Sequence, residues 1–519
     1  MQGKTALMAG VAVLALVAST SAGYAAKNTS DGTSTTPATT VAAPSNAELA
    51  TRVQALEDAI QANETKAQSD HTRLSTLEQN FNYASWTFDN GRPVINSGDG
   101  RFSMAFRVRF QFDNAQFMQD SVAQLTANAP QAVRDLGSGS VIRRGFFGVE
   151  GKAFKDFWYE FRYNGGGSNA EGFGMSLARV AYLGIPNFMV NVGIIEPALM
   201  FEGTTSSGQL MFMERPEIDN IAADTFGAAD ARRGIEVRYQ KESALMPGDN
   251  LVLNVALTGN TTGSTAGHGT GGDEKLQLLD RISYRFWSDG PSNASVGFSN
   301  SNILYSGSTG GGGAQTISLS DRPQIRVDGT QLISTGNIAA KTGTMFAFDG
   351  GVNFENFFVG GEWAQFQVDR LASGALAADT PTFSGWYVEG SWVITGEPKT
   401  YTVSATNNEV GGFGAPKVAN PFSFDGDSWG AWELTARYSN TDLNWNPTLA
   451  ATATAQAGIN GGEQRVFLIG LNWYLNNNVK LQVNDMIVKV DKYSSPSHVL
   501  ANNAGQDLNI LGVRLQFTN

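Results

Sequence analysis

Beyond Asn82, apolar and polar residues alternate with a period of two to the C-terminus. Such alternation predicts β-strands with one apolar and one polar face. The pattern is plainest where Phe106, Val108, Phe110 and Phe112 are interleaved with Arg107, Arg109 and Gln111. It recurs with Phe157, Tyr159, Phe161 and Tyr163 against Trp158, Glu160, Arg162 and Asn164. It returns with Ile235, Val237 and Tyr239 against Glu236 and Arg238, and with Ile282, Tyr284 and Phe286 against Arg281, Ser283 and Arg285. Further along, Trp386, Val388 and Trp392 oppose Tyr387, Glu389 and Ser391, and Trp432, Leu434, Ala436 and Tyr438 oppose Glu433, Thr435 and Arg437. Phe467, Ile469, Leu471 and Trp473 oppose Gly470 and Asn472, and Val479, Leu481 and Val483 oppose Lys480, Gln482 and Asn484. The chain ends with Leu511, Val513, Leu515 and Phe517 against Gly512, Arg514 and Gln516.

Before Asn82 the period is different. Leu49, Val53, Leu56, Ile60, Ala67, Leu74, Leu77 and Phe81 hold one heptad register, which predicts a coiled-coil helix over 46–82 with Ser45 or Asn46 as N-cap and Glu48 in its first turn. Asn63 and Asp70 fall at d positions, where polar residues weaken the seam and can fix register or strand number. A lone helix cannot bury such a stripe, so self-association is expected; packing on the chain's own domain is the alternative. Residues 26–45 are Thr, Ser, Ala and Pro with almost no large apolar side chain, a composition that predicts a flexible linker. Residues 1–25 carry Lys4, an apolar run from Ala6 to Ala18 and small residues Gly23 and Ala25. This is the pattern of an export signal peptide cleaved after Ala25, with a site after Gly23 as rival; an uncleaved anchor is disfavoured because the run is too short to span a bilayer.

Period two alone also fits a soluble sandwich with one solvated face. Three features point instead to a transmembrane antiparallel β-barrel over 83–519. The strands are spread over more than 400 residues with no helical domain to cover an open sheet. Trp, Tyr and Phe sit near segment ends, as in the girdles that meet lipid headgroups. Long Gly, Ser, Thr and Asn connections (259–272, 307–313, 450–462) alternate with short ones (287–293, 475–478), the arrangement of outer-membrane barrels. In lipid every backbone group must be paired internally, so the sheet must close and turn its polar face inward around water. A slightly negative mean hydropathy fits such a wall, half of which is polar.

Parity then places Arg107, Arg109, Arg162, Arg238, Arg281, Arg285, Arg437, Arg514 and Lys480 inward, together with Glu160, Glu236, Glu362, Glu389 and Glu433. Inward arginine is more frequent than a formal net charge of −12 suggests. Many acids fall instead in expected loops, Asp99, Asp120, Asp224, Asp230, Asp273, Glu274, Asp321 and Asp328 among them. Stacked guanidiniums stay charged and offer directed donors, which suits transient binding of small anions along a pore. The competing reading is that inward Arg and Glu pair and cancel, with Arg162 beside Glu160, Arg238 beside Glu236 and Arg437 beside Glu433 as expected pairs. Arg107 and Arg109 have no acid nearby on their own strand and make the best free ladder, with Arg281 and Arg285 next.

The order of several short motifs resembles the phosphate-selective porins of the O and P type. They are Asp89-Asn90-Gly91-Arg92 before Phe102–Phe112, Arg143-Arg144 leading into Gly148-Val149-Glu150-Gly151, and Phe154-Lys155-Asp156. Ala181-Tyr182-Leu183-Gly184, Phe212-Met213-Glu214-Arg215, Arg233-Gly234-Ile235, Gly385–Trp392 and Thr395-Gly396-Glu397 follow. The resemblance implies a 16-stranded barrel in the outer membrane of a Gram-negative cell, a homotrimer with one pore per subunit, and a loop folded into the lumen. It also implies anion selectivity, for phosphate among other solutes, from basic pore residues, and adds Arg143 and Arg144 to the pore-lining set. Two departures stand out: Glu196 replaces a base near Pro197, and Thr518 and Asn519 follow the usual terminal aromatic Phe517.

No Cys and only three His (His71, His268 and His498) argue against zinc, haem, iron–sulfur and thiol chemistry. The glycine runs at 165–167 and 310–313 lack the Lys-Ser/Thr of a phosphate loop. The expectation is therefore a non-enzymatic channel without cofactor, catalytic residue, metal or nucleic-acid partner. Its partners are membrane lipid, small anionic solutes and its own copies, and its N-terminal segment lies in the periplasm. Two alternatives stay open. In one, the barrel anchors a tether to the cell wall through the coiled coil; in the other, the pore is general or passes sugars, with Tyr387 as an aromatic slide.

Overall fold

The computed structural model describes residues 45–89, 91–119, 136–167, 174–261, 273–307, 315–374, 376–452, 455–494, 499–500 and 506–519. The expected signal peptide, and the linker apart from Ser45, lie outside the described residues.

Among the described residues, the N-terminal unit, which ends at Leu77, consists almost wholly of a helix, α1, that runs from Asn46 to Asn82. Its start is a capping box: Ser45 Oγ accepts from the Glu48 amide at 3.3 Å, and the Ser45 amide donates to Glu48 Oε2 at 3.2 Å. Its heptad stripe is exposed among the described residues: Val53, Leu56, Ile60 and Leu77 are 52–64% exposed.

The second unit is a closed barrel of sixteen antiparallel strands. In chain order they are β1 (Ser103–Gln119), β2 (Gly139–Ala153), β3 (Phe157–Asn164), β4 (Gly174–Tyr182), β5 (Phe188–Ile195), β6 (Arg232–Glu242), β7 (Asn250–Thr261) and β8 (Leu276–Asp289). Then come β9 (Ser292–Tyr305), β10 (Ile338–Phe354), β11 (Phe357–Arg370), β12 (Thr382–Val393), β13 (Ala431–Trp445), β14 (Ile459–Tyr474), β15 (Val479–Asp491) and β16 (Gln506–Thr518). Each strand pairs with the next, and β16 closes on β1 from Leu508↔Gln119 to Thr518↔Arg109. Beyond the point where β16 ends, a hairpin of Ser85–Asp89 and Arg92–Asn96 takes over pairing with β1 at Val94↔Ala105. One end of the barrel, where β1 starts and β16 stops, carries short turns such as 154–156, 290–291 and 355–356; the other end carries the long loops. Directly opposed aromatics ring the outer face at the turn end: Phe157–Tyr182, Phe188–Tyr239, Phe357–Trp392 and Trp432–Trp473, with centroids 5.0–6.0 Å apart.

Two findings depart from the pattern expected from sequence. A 394–430 connection at the turn end is as long as any loop, and it folds up into the barrel as a hairpin of Thr400–Val403 and Val410–Gly414. The lumen is also not an open aqueous bore. The 196–231 loop crosses it and carries α2 (Glu217–Phe226), and residues 315–337 of the next long loop pack beside it. Leu199, Met200, Phe201, Met211, Phe212, Met213, Ile218, Ile221 and Phe226 are almost wholly buried against Ile325, Phe358, Phe366, Phe383, Leu468 and Ile510. Each such side chain contributes about 1.5–3 kcal/mol on leaving water. α2 is placed by ordinary end chemistry: Glu217 and Asp219 in its first turn suit the helix dipole, and Gly227 closes it with a φ of 80°. Tyr387, considered as an aromatic slide, is 2% exposed beneath this inner core and donates to Glu362 Oε2 at 3.3 Å. It borders neither of the two cavities described below.

Candidate pore and its charged lining

With most of the lumen filled, open space remains along the wall of β1–β6 and the neighbouring ends of β15 and β16. It includes two cavities of about 780 and 520 Å³. The larger lies towards the loop end and is lined by nine arginines against seven carboxylates. The smaller lies at the turn end, where Arg92, Arg107, Arg109, Lys417 and Lys480 face Asp89 and Glu409. Four residues border both cavities and define the neck between them: Arg107, Arg109, Ser206 and Glu409.

Strand parity supplies much of this lining. Arg107 and Arg109 project from β1, Arg162 from β3 and Arg179 from β4. Arg143 and Arg144 are consecutive, so simple alternation would send one of them to lipid. A β-bulge prevents this: on β2 the register passes from Arg144 opposite Gln111 directly to Ile142 opposite Phe112. Arg143 is the extra residue, and both guanidiniums enter the lumen.

The charges are mostly organised into pairs. Arg107 lies 3.2 Å from Glu150 and 3.6 Å from Glu160, and Glu160 is 2.6 Å from Arg179 on the adjacent strand. Arg162 pairs with Glu196, the acid found where relatives were expected to carry a base. Glu214, from the crossing loop, accepts from Arg143 at 2.7 Å and lies 3.6 Å from Arg144. Burial pushes the Glu214 carboxyl up, but the guanidiniums of Arg143, Arg144, Arg514 and Arg326 outweigh it and hold the group well below the usual carboxylate range. Asp230, at the edge of the same cavity, is pushed up to about 6 by burial against the opposing pull of Arg232.

Arg109 is the exception. Among the described residues no carboxylate lies within ion-pair distance of it. Its terminal nitrogens donate to Ser207 Oγ at 2.6 Å and Ser206 Oγ at 2.8 Å, and its guanidinium lies 5.7 Å from the Phe146 ring centre. The opposing hydroxyls come from the 196–231 loop, so the neck has a charged wall on β1 and a neutral, hydrogen-bonding wall on the loop. Among the described residues, Arg215 likewise donates to backbone oxygens, those of Glu202 and Thr205, at 2.8 and 2.6 Å.

Of the basic residues expected to line the pore, Arg107, Arg109, Arg143, Arg144, Arg162 and Lys480 border the cavities. Arg238, Arg281, Arg285, Arg437 and Arg514 point inward as parity requires, but border neither. Arg238, Arg285, Arg437 and Arg514 instead fasten inserted segments to the wall, and Arg281 joins neighbouring wall strands. Arg238 donates to the Asn407 carbonyl, and Arg437 reaches Glu389 at 2.8 Å and Glu202 at 3.3 Å. Arg514 bridges Asp113 and Glu214 at 2.6 and 2.8 Å and also donates to the Met213 carbonyl. Arg281 pairs with Asp349 at 2.6 Å, and Arg285 lies over the Tyr401 ring at 4.8 Å. The expected same-strand pairs are not those observed: Glu160 takes Arg179, Glu389 takes Arg437 and Glu433 takes Lys399. Glu236 accepts from Asn191 and the Ala198 amide. Residues two apart on one strand are about 7 Å apart, whereas directly opposed residues come within about 5 Å.

Sequence reading missed Arg92, Arg179, Ser206, Ser207, Arg215, Glu409 and Lys417. Arg179 was accessible by the same parity rule, and Arg92 stands in a motif noted for other reasons. The rest lie on inserted segments, whose path into the lumen no local pattern announces.

Residues 115–518 match the profile of the family described as phosphate-selective porin O and P. Porin O of Pseudomonas aeruginosa (strain PAO1) is 24% identical over 439 residues, covering 81% of this chain and 89% of that protein. Among solved structures, the outer membrane channel DcaP of Acinetobacter baumannii matches with a TM-score of 0.44 at 12% identity, over 80% of this chain and 97% of that one. The anion-selective porin from Comamonas acidovorans matches with 0.44 at 12%, over 80% and 100%. OmpT of Vibrio cholerae in its trimer form matches with 0.41 at 9%, over 80% and 99%. With a family profile spanning nearly the whole barrel, the chain belongs to the phosphate-selective porin O and P family and is an outer-membrane porin.

Proposed function

We propose that this porin passes small anions, phosphate among them, down their gradients along the Arg107–Arg109 wall. The observation that carries the reading is Arg109: a guanidinium with no carboxylate partner among the described residues, held at the neck by two hydroxyls. An anion entering from the loop end meets a cavity with a cationic excess and exchanges water for guanidinium and hydroxyl donors at the neck. It then leaves through a mouth bordered by Lys417 and Lys480. Guanidiniums stay charged at any working pH, so the path needs no protonation step. Most neighbouring arginines are neutralised by carboxylates, which keeps binding weak enough for release.

The same reading makes residues 1–25 a cleaved signal peptide, 26–45 a linker in the periplasm and α1 the element that gathers three copies. Its support is the exposed heptad stripe, which a partner helix would cover. The test is the reversal potential in planar bilayers under a potassium chloride gradient. The parent should favour chloride, and added phosphate should reduce the chloride current. Arg109→Glu changes the neck by two charges and should shift the anion-to-cation permeability ratio about tenfold towards cations. An unchanged ratio would sink the assignment.

A further inference from the structure

The neck also contains an acid. Glu409 borders both cavities together with Arg107, Arg109 and Ser206. It is carried by the inserted 394–430 segment, not by the barrel wall, so its presence follows from a connection that enters the lumen from the turn end. The segment is firmly seated. At its base Lys399 and Glu433 form a buried ion pair at 3.0 Å, and Tyr401 and Phe413 pack together and, through Phe413, against Phe201 and Phe358. At Gly411 the φ is 74° and a β-carbon would lie 2.3 Å from Ser283 Oγ, so the hairpin lies flat on the wall where only glycine fits.

The hairpin tip is equally ordered. The Glu409 amide donates to Asn407 Oδ1 at 3.0 Å, the Glu409 carbonyl accepts from the Ser404 amide at 3.0 Å, and Arg238 holds the Asn407 carbonyl. The side chain, by contrast, is tied among the described residues only by a 3.4 Å contact from Gln209 Nε2, and both open spaces reach it. A carboxylate fixed at its backbone, half-buried and bordering the same two cavities as Arg109 is placed to act on whatever anion occupies the neck.

Resting on the anion pathway above, we propose that Glu409 is a tethered competing anion that sets how long a permeating anion stays at the neck. Conduction needs a site attractive enough to enter and weak enough to leave. Arg109 supplies the attraction without a carboxylate of its own; Glu409 opposes it from the facing segment. A phosphate at the neck would therefore be attracted by the β1 guanidiniums and repelled by Glu409, which shortens its stay there.

The chain contains no cysteine, so Glu409→Cys gives a single thiol that can be modified in a pore already folded and conducting. In a bilayer under a chloride gradient, the unmodified variant should raise the anion-to-cation permeability ratio about threefold or more and lower the phosphate concentration for half-block of chloride current by a similar factor. A sulfonate-bearing thiol reagent should return both towards the parent, and a trimethylammonium reagent should move them further away. Reagent-driven shifts in one folded pore separate charge from folding damage, and Glu409→Gln provides the same neutralisation without a label. If neither neutral variant nor either reagent moves the two readings while Arg109→Glu does, the role of Glu409 is wrong and the pathway stands. If Arg109→Glu is also without effect, the pathway itself is wrong.

Discussion

Arg281 tests whether inward arginines away from the cavities fasten the lumen or select ions. Its terminal nitrogens meet Asp349 at 2.6 and 3.1 Å, and one also donates to Ser299 Oγ at 2.8 Å. Both charged side chains are no more than 2% exposed. Asp349 is directly opposed across the sheet by Glu362, whose carboxylate accepts from the Phe201 amide at 3.1 Å and so anchors the start of the crossing loop. Arg281→Met would leave two neighbouring carboxylates buried with their nearest cation gone. Removing one partner of a buried pair costs about 3–5 kcal/mol, most of it the penalty of the stranded charge. Adding Asp349→Leu removes that charge and should bring stability back to within about 1.5 kcal/mol of the parent. The assay is equilibrium unfolding by guanidinium of the barrel in detergent micelles, with comparable denaturant slopes, alongside reversal potentials in bilayers. The single variant should be strongly destabilised, the double variant largely restored, and the permeability ratio of the folded pores unchanged in both. A permeability shift as large as that of Arg109→Glu, or a loss of stability below about 1 kcal/mol, would refute the division into fasteners and pore residues.

Two other outcomes follow from the same geometry. Asp321, in the 306–337 loop, is buried beside Asn220 and 3.9 Å from Arg326, and burial pushes its carboxyl up to about 7 despite that guanidinium. The unfolded chain loses this proton near pH 4 and the folded barrel near 7. The group therefore lowers stability progressively across that window, by up to about 1.4 kcal/mol per pH unit, and by a constant amount above it. Asp321→Asn should flatten this part of the decline when unfolding is compared at pH 5 and pH 8, and parallel declines would contradict it. In α1, Leu56→Lys with Ile60→Lys places charge on the exposed stripe; mass measurement by light scattering in detergent should show smaller assemblies, with single-pore conductance retained, and an unchanged mass would rule out assembly through this helix.

Several features of this architecture are legible locally. The capping box at Ser45 and Glu48 starts α1 where the heptad begins. Outside the bulge at Arg143 and Arg144, parity assigns the face of the pore-facing arginines on the strands because side chains alternate along an extended backbone. The family motifs carry the assignment that the profile match supports. One unused signal was also present: Val466-Phe467-Leu468-Ile469 and Met486-Ile487-Val488 interrupt the alternation. Such runs mark strands apolar on both faces, and here Val466, Leu468, Met486 and Val488 face the inner core while Phe467 and Ile487 are exposed outside.

The sequence by itself determined the barrel strands, α1, the closure of the barrel, the outward and inward faces and the family, because these depend on periodicity and short-range backbone chemistry. Only the tertiary structure decided which inward charges meet water. That depends on where the 196–231, 306–337 and 394–430 segments lie, and their placement comes from contacts between residues hundreds of positions apart. Gln516 with Gly208, Lys480 with Leu210 and Arg437 with Glu214 are such contacts. The same arginine on the same face can therefore fasten a loop, as Arg514 does, or stand at the neck of a pore, as Arg109 does, according to the segment folded against it.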